Sequence, residues 1–136
     1  NVQKGLKFYT EGVTGFVGVQ DVVTIMIQLM TSKLMNQRFL LVSENLSYKN
    51  VLFMIADALG KQRPKVRINK LIGACVWRME YLRSRLTLST PILTKYTAKS
   101  AISNHPYTAE KIKKELNFEF EPIKSSIERV AENINS

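Results

Sequence analysis

A mixed, helix-rich α/β fold is predicted by three features of the sequence. Short apolar runs of strand length recur in the first half of the chain, at residues 6–9, 16–19 and 38–43. Between and after them, apolar residues return at helical spacing. Residue types that start and stop helices stand at the ends of those stretches.

In chain order, Leu6 to Tyr9 alternates apolar and polar and reads as a short strand, followed by a turn region and a second strand over 16–19. Asp21 is expected to cap a helix, its carboxylate accepting from free N–H groups of the first turn. That helix sets Val22, Ile25, Met26, Leu29 and Met30 on one core-facing side and ends at Thr31-Ser-Lys. Phe39-Leu-Leu-Val reads as a buried strand. Ser47 is the expected N-cap of the next helix, with Leu46 stapled onto Val51. Val51, Leu52, Ile55 and Leu59 form its buried face, and Gly60 supplies the left-handed residue at its end.

Residues 64–68 read as an extended edge segment, with Pro64 where no ladder donor is needed. Asn69 is expected to cap a long helix with two apolar stripes. One is Ile72, Cys75, Val76, Met79, Leu82 and Leu86; the other is Gly73, Trp77 and Tyr81. Such a helix either lies between two layers of one core or turns Trp77 and Tyr81 toward a neighbouring domain. A shorter helix capped by Thr94 follows. The last helix begins at Pro122, a residue tolerated at a first helical position, and shows Ile123, Ile127, Val130 and Ile134 on one face.

Composition narrows the functional classes. The 136 residues are 45% hydrophobic and 23% charged, which is one domain's worth of chain with a modest core. The apolar runs are too short to span a bilayer, so no membrane partner is expected. A lone cysteine, Cys75, leaves no disulfide or cysteine-based metal site within the chain, and a reducing, cytoplasmic setting is the default. Twenty basic residues against eleven acidic give a charge of +9. Lys61, Arg63, Lys65, Arg67 and Lys70 fall in ten residues with no acid between them, and Arg78, Arg83 and Arg85 follow. A basic nucleic-acid-binding module is the alternative that this run suggests; a solvated charged face is the simpler reading. The chain opens at Asn1 on a half-apolar segment without a methionine, which reads as a piece cut from something longer.

Two motifs look like cofactor chemistry. Gly12, Gly15 and Gly18 have GxxGxxG spacing, which in a dinucleotide fold allows close backbone approach to a pyrophosphate. Tyr107 and Lys111 have the Tyr-x-x-x-Lys spacing in which an ammonium lowers a phenol's pKa for proton transfer. Thr108, however, is the natural N-cap, which leaves Tyr107 outside the helix as a staple onto Ile112. Only two plausible strands follow Gly18, too few for a doubly wound sheet. The glycines then read as strand-edge and turn residues, and the tyrosine as structural.

Three stretches together resemble the C-terminal part of an extended short-chain dehydrogenase/reductase, of the NAD-dependent epimerase/dehydratase family and its dihydroflavonol-reductase-like branch. Thr14-Gly-Phe-Val-Gly-Val-Gln-Asp-Val-Val is similar to the family's strand leading into a Val-x-Asp-Val helix start. Arg38-Phe-Leu-Leu-Val-Ser-Glu-Asn-Leu-Ser-Tyr resembles its later strand, turn and Ser-capped helix. The stretch from Tyr107 through Pro122 resembles its closing helix, proline and final helix. The resemblance runs over nearly the whole chain.

It implies a C-terminal lobe of a few short strands and about five helices, a single substrate-binding domain fragment over 1–136 whose Rossmann half is absent. NAD or NADP would serve the parent protein, and none is expected to bind this fragment, which carries neither the cofactor loop nor the catalytic Tyr-Lys pair and should be inactive alone. The implied partners are the missing N-terminal Rossmann domain and a small-molecule substrate, in a parent that could be a homodimer; no catalytic, cofactor or metal residue is expected in the fragment itself. By position, Thr14 stands where sugar-nucleotide epimerases carry a diphosphate-binding arginine, Phe16 where an aromatic residue meets the ligand, and Gly18 where a histidine is common. Thr14 and Phe16 are therefore the implied substrate-lining residues, Phe16 being equally readable as a core strand residue. Without the arginine a bidentate phosphate donor is lost, unless Arg78 or Arg83 replaces it. An uncharged ketone, aldehyde or hydroxy compound is then favoured over a sugar nucleotide.

Overall fold

The computed structural model describes residues 6–68 and 103–135. Their element order is β1 (Phe8–Tyr9), β2 (Val13–Phe16), α1 (Val19–Thr31), β3 (Glu44–Ser47), α2 (Tyr48–Ala58), β4 (Val66–Arg67), α3 (Glu110–Leu116) and α4 (Ile123–Asn135). This is a mixed α/β arrangement of four helices and short strands. The helices expected after Asn69 and Thr94, with Cys75, Trp77, Arg78, Tyr81 and Arg83, lie outside the described residues.

Strands β2 and β3 form an antiparallel pair with Val13 opposite Ser47 and Phe16 opposite Glu44. β1 and β4 form a parallel pair, Phe8 opposite Val66 and Tyr9 opposite Arg67. Both strand positions expected from hydrophobicity near the first helix are displaced. β2 ends at Phe16 instead of beginning there. Phe39-Leu-Leu-Val is not a paired strand among the described residues; the pairing falls to the more polar Glu44-Asn-Leu-Ser that follows. An apolar run reports burial, not hydrogen bonding: Phe39 and Leu41 pack against the core and Val42 is almost fully buried.

α1 begins at Val19, three residues before the start expected from a cap at Asp21, with Gly18 at its N-cap and no side-chain cap. Asp21 is thus the third residue of the helix rather than its cap. The helix also turns differently from expectation. Ile25 is fully buried and Leu29 packs on the core, whereas Met26 and Met30 point outward, 57% and 82% exposed.

α2 follows the sequence reading closely. The Ser47 hydroxyl accepts from the Asn50 N–H at 3.1 Å, and Gly60 takes φ of +61° while the Lys61 N–H closes the turn on the Ala56 carbonyl at 2.8 Å. Its deepest residue is Ala56; Val51, Leu52, Ile55 and Leu59 are half-buried. α3 starts at Glu110 with Ala109 at its N-cap, one residue later than expected, although the Thr108 hydroxyl still accepts a long 3.4 Å bond from the Glu110 N–H. Asn117, at φ 47°, ends it in the left-handed conformation.

The core joins α1, α3 and the 39–42 segment. Ile25, Val42, Ala109 and Ile112 form its centre, flanked by Leu29, Phe39, Leu41, Leu116, Phe118 and Phe120. Ile25 and Ile112 are its largest fully buried side chains, each contributing about 2 kcal/mol of transfer free energy.

Candidate functional site

The corner at Glu121 and Pro122 positions everything on the second side of the molecule. Proline ends the loop after α3 and α4 starts directly beyond it. Two acceptors and one donor from earlier in the chain fix this corner. The Asp21 carboxylate accepts the Glu121 N–H at 3.0 Å, and the Glu44 carboxylate accepts the Ile123 N–H at 3.1 Å, serving as a cap for α4 from another element. The Ser43 hydroxyl donates to the Glu121 carbonyl at 2.6 Å. The Glu121 carboxylate in turn accepts from the Ser126 hydroxyl at 3.1 Å and pairs with Arg129. Asp21 is 8% exposed, so its carboxylate is kept in place by this bond and by the positive end of α1.

With α4 held there, a cleft of about 350 Å³ opens between α4, α2 and the β2–α1 junction. Phe16, Val51, Ile55, Leu59, Ile127 and Ala131 are among its walls, and the polar Ser126 hydroxyl stands at one end. Among the described residues, no lysine, arginine, aspartate or glutamate lines it. These walls desolvate an apolar group, and none of them offers a countercharge to a phosphate. The apolar face expected on the last helix is what builds its outer wall: Ile123 is buried, Ile127 half-buried, and Val130 and Ile134 sit about half-exposed at the rim.

Of the two implied substrate-lining residues, Phe16 reaches this cleft, its ring edge-on to Tyr48 at 5.8 Å. Thr14, paired opposite Leu46 within β2, is not among the lining residues.

The glycine series is occupied by packing. A Cβ on Gly15 would come within 2.9 Å of both Val42 methyls and 3.3 Å of the Tyr107 ring. A Cβ on Gly18 would overlap the Ser126 hydroxyl, and the buried Gly12 presents its carbonyl to the Tyr48 N–H at 3.0 Å. The helix start beyond Gly18 also carries the Asp21 carboxylate, which repels an anion. These residues do not fit a dinucleotide phosphate.

Tyr107 and Lys111 serve separate neighbours. The tyrosine ring covers Gly15, while its backbone N–H and carbonyl are both held by the Asn45 side chain, at 2.8 and 2.7 Å. The Lys111 ammonium lies 4.8 Å from the centre of the Phe39 ring. In the basic run, Arg63 makes a paired hydrogen bond with Asp57 at 2.7 and 2.8 Å and Arg67 pairs with Glu11. Two of its four described cations are therefore neutralised locally.

Asp21 reads from sequence only as a helix cap, and Glu44, Glu121 and Ser126 are not reached there, although these four side chains hold the corner beside the cleft. Their partners lie far away in sequence, and no periodicity reports such pairs.

No protein-family model and no curated protein matches the sequence. Among solved structures, the chain is similar to a crystal structure of gox2253, with a TM-score of 0.69 and 19% identity over 92% of this chain. The likeness is one of fold. The chain spans 38% of the length of that protein.

Proposed function

We propose that this chain is the substrate-binding region of an NAD(P)-dependent oxidoreductase or epimerase of the extended short-chain type, acting on an uncharged carbonyl or hydroxyl compound. The cofactor and the Tyr-Lys pair that handles protons belong, in this reading, to a nucleotide-binding domain outside the present sequence. Hydride passes there between nicotinamide and substrate carbon; the residues of this chain receive the rest of the substrate and keep water from it.

The observation that carries the reading is the cleft walled by Phe16, Ile55 and Ile127, with no cation among its described lining residues. It supports an apolar substrate body, and those walls give a diphosphate no partner. The resemblance of the Thr14 to Val23 stretch to the family's substrate-side strand supplies the reaction class. Beside this, the pairing of Arg63 and Arg67 with acids favours a solvated face over a nucleic-acid surface.

Chemical-shift mapping of the labelled 136-residue chain with acetophenone and with UDP-glucose tests the reading. Acetophenone should perturb Phe16, Ile55 and Ile127 saturably, and UDP-glucose should leave them unmoved. Perturbation of those residues by UDP-glucose, or an indifferent cleft, would remove the uncharged-substrate assignment.

A further inference from the structure

Helix α1 is apolar on two opposite sides, and among the described residues only one of them meets the core. Ile25 and Leu29 face inward. Val19, Val23, Met26, Ile27 and Met30 face solvent at 66%, 46%, 57%, 59% and 82% exposure. At 3.6 residues per turn these five side chains fall within an arc of roughly 100°. Gln20, Thr24 and Thr31 form a narrow polar strip beside them, and Asp21, on the inward side, is the one charged residue of the helix. A protein carrying +9 overall thus places no charge along the outer side of a 13-residue helix. A helix apolar nearly all round belongs to the interior of a larger body.

We propose that this outer face of α1 is the seat of a further domain of the same polypeptide, one that offers aliphatic side chains to Val19, Val23, Met26, Ile27 and Met30. The occupant follows from length. The gox2253 chain contains this fold in 38% of itself, so more than half of that protein lies beyond the matched region. A second copy of the chain is less well suited, because the stripe is unbroken by any charge or hydrogen-bonding group that would fix a two-fold register. Val19 also lines the cleft, so a domain seated on the stripe borders the cleft's mouth. The inference rests on the reading of this chain as one lobe of a two-domain enzyme. It places the contact on α1, where sequence reasoning looked to Trp77 and Tyr81.

Methionine oxidation provides the test. Hydrogen peroxide transfers one oxygen to an accessible thioether and leaves water, and mass spectrometry reads each methionine separately. The 136-residue chain and the longer polypeptide encoded by the reading frame that carries it would be treated side by side, with half-buried Met54 as reference. Met26 and Met30 should oxidise readily in the short chain and at least tenfold more slowly in the long one. Equal rates in the two, a reading frame that encodes no further domain, or protection in the short chain that grows with its concentration would overturn the proposal. The last result would mean that a second copy occupies the face. NADH titration of the long polypeptide separates this outcome from the functional one: protection without cofactor binding leaves the docking face standing and removes the dehydrogenase reading.

Discussion

The Asp21 carboxylate and the Glu121 backbone N–H meet at 3.0 Å across a hundred positions of sequence. This contact joins the first turn of α1 to the corner from which α4 departs, and so determines the width of the apolar cleft. Asp21→Ala removes the acceptor and leaves the Glu121 N–H without it; a loss of about 2 kcal/mol is expected. Asp21→Asn keeps an oxygen in the same place and should lose less. Urea unfolding of both variants reads the difference, and an unchanged midpoint for the alanine variant would mean that the corner is held by Ser43 and Glu44 alone.

Gly18 and Ser126 should behave as a coupled pair. Gly18 has φ of −70°, a conformation open to any residue, so its substitution is resisted by packing and not by backbone strain. In Gly18→Ala the new methyl displaces the Ser126 hydroxyl from its hydrogen bond to Glu121, costing about 1 kcal/mol. In the Ser126→Ala background the obstructing oxygen is gone and the remaining Cβ lies at 3.4 Å. A double-mutant cycle should therefore give a second substitution cheaper than the first, and strict additivity would show that the two do not interact.

Gly15→Ala should destabilise the protein by about 1–3 kcal/mol through overpacking against Val42 and Tyr107. The cost bears on any attempt to test the glycine series as a cofactor loop. A bulkier Gly15→Val variant would lose binding of any ligand simply by unfolding part of β2. Thermal melts must accompany the titration, and a Gly15→Ala protein as stable as the parent would indicate that the β2 surface is open.

Asp57 and Arg63 give a titration prediction. Hydrogen bonds from the Arg63 guanidinium, opposed by desolvation and aided by its charge, hold the Asp57 carboxyl below its ordinary 3.8. A carboxylate whose folded pKa is depressed stabilises the fold above the unfolded value and loses that contribution as pH falls through the folded one. The effect is confined to the acid side, below about pH 4, and is small because both groups face solvent. Carbon-detected NMR should find the Asp57 midpoint under 3.8 and, in Arg63→Gln, shifted upward. A midpoint that ignores the substitution would show the pair to be solvent-separated.

Local signals were legible in the sequence. Ser47 as a cap, Gly60 as a helix end, the short extended segment after Pro64 and the apolar face of the last helix all depend on residues a few positions apart, which is the range over which propensity and periodicity act. The failures share a different cause. Phe39, Leu41 and Val42 are apolar because they pack in the core, while Leu40 between them is exposed, and nothing local says that the ladder partner of β2 is the polar Glu44-Asn-Leu-Ser beside them. Met26 and Met30 fit a helix face by spacing, yet α1 has two such faces and spacing cannot say which one the core takes. The resemblance of its strand sets Phe16 and Thr14 against a substrate; in the fold Phe16 borders the apolar cleft, while Thr14, one pleat away, pairs with Leu46. The polar groups that shape the cleft act between α1, β3 and α4, and single-sequence patterns carry no record of such pairings.

The parallel pairing of Phe8 with Val66 has a consequence for how the protein is made. β1 leaves the ribosome before the other described elements, and its ladder partner emerges only after β2, α1, β3 and α2 have been synthesised. α2 is closed locally by Ser47 and Gly60 in the meantime, whereas the edge of β1 and the inward face of α1 must wait for later residues. At five to twenty residues per second, that interval lasts roughly three to twelve seconds. The nascent chain spends it with Ile25 and Leu29 of α1 uncovered, a short aliphatic segment of the kind that chaperones capture.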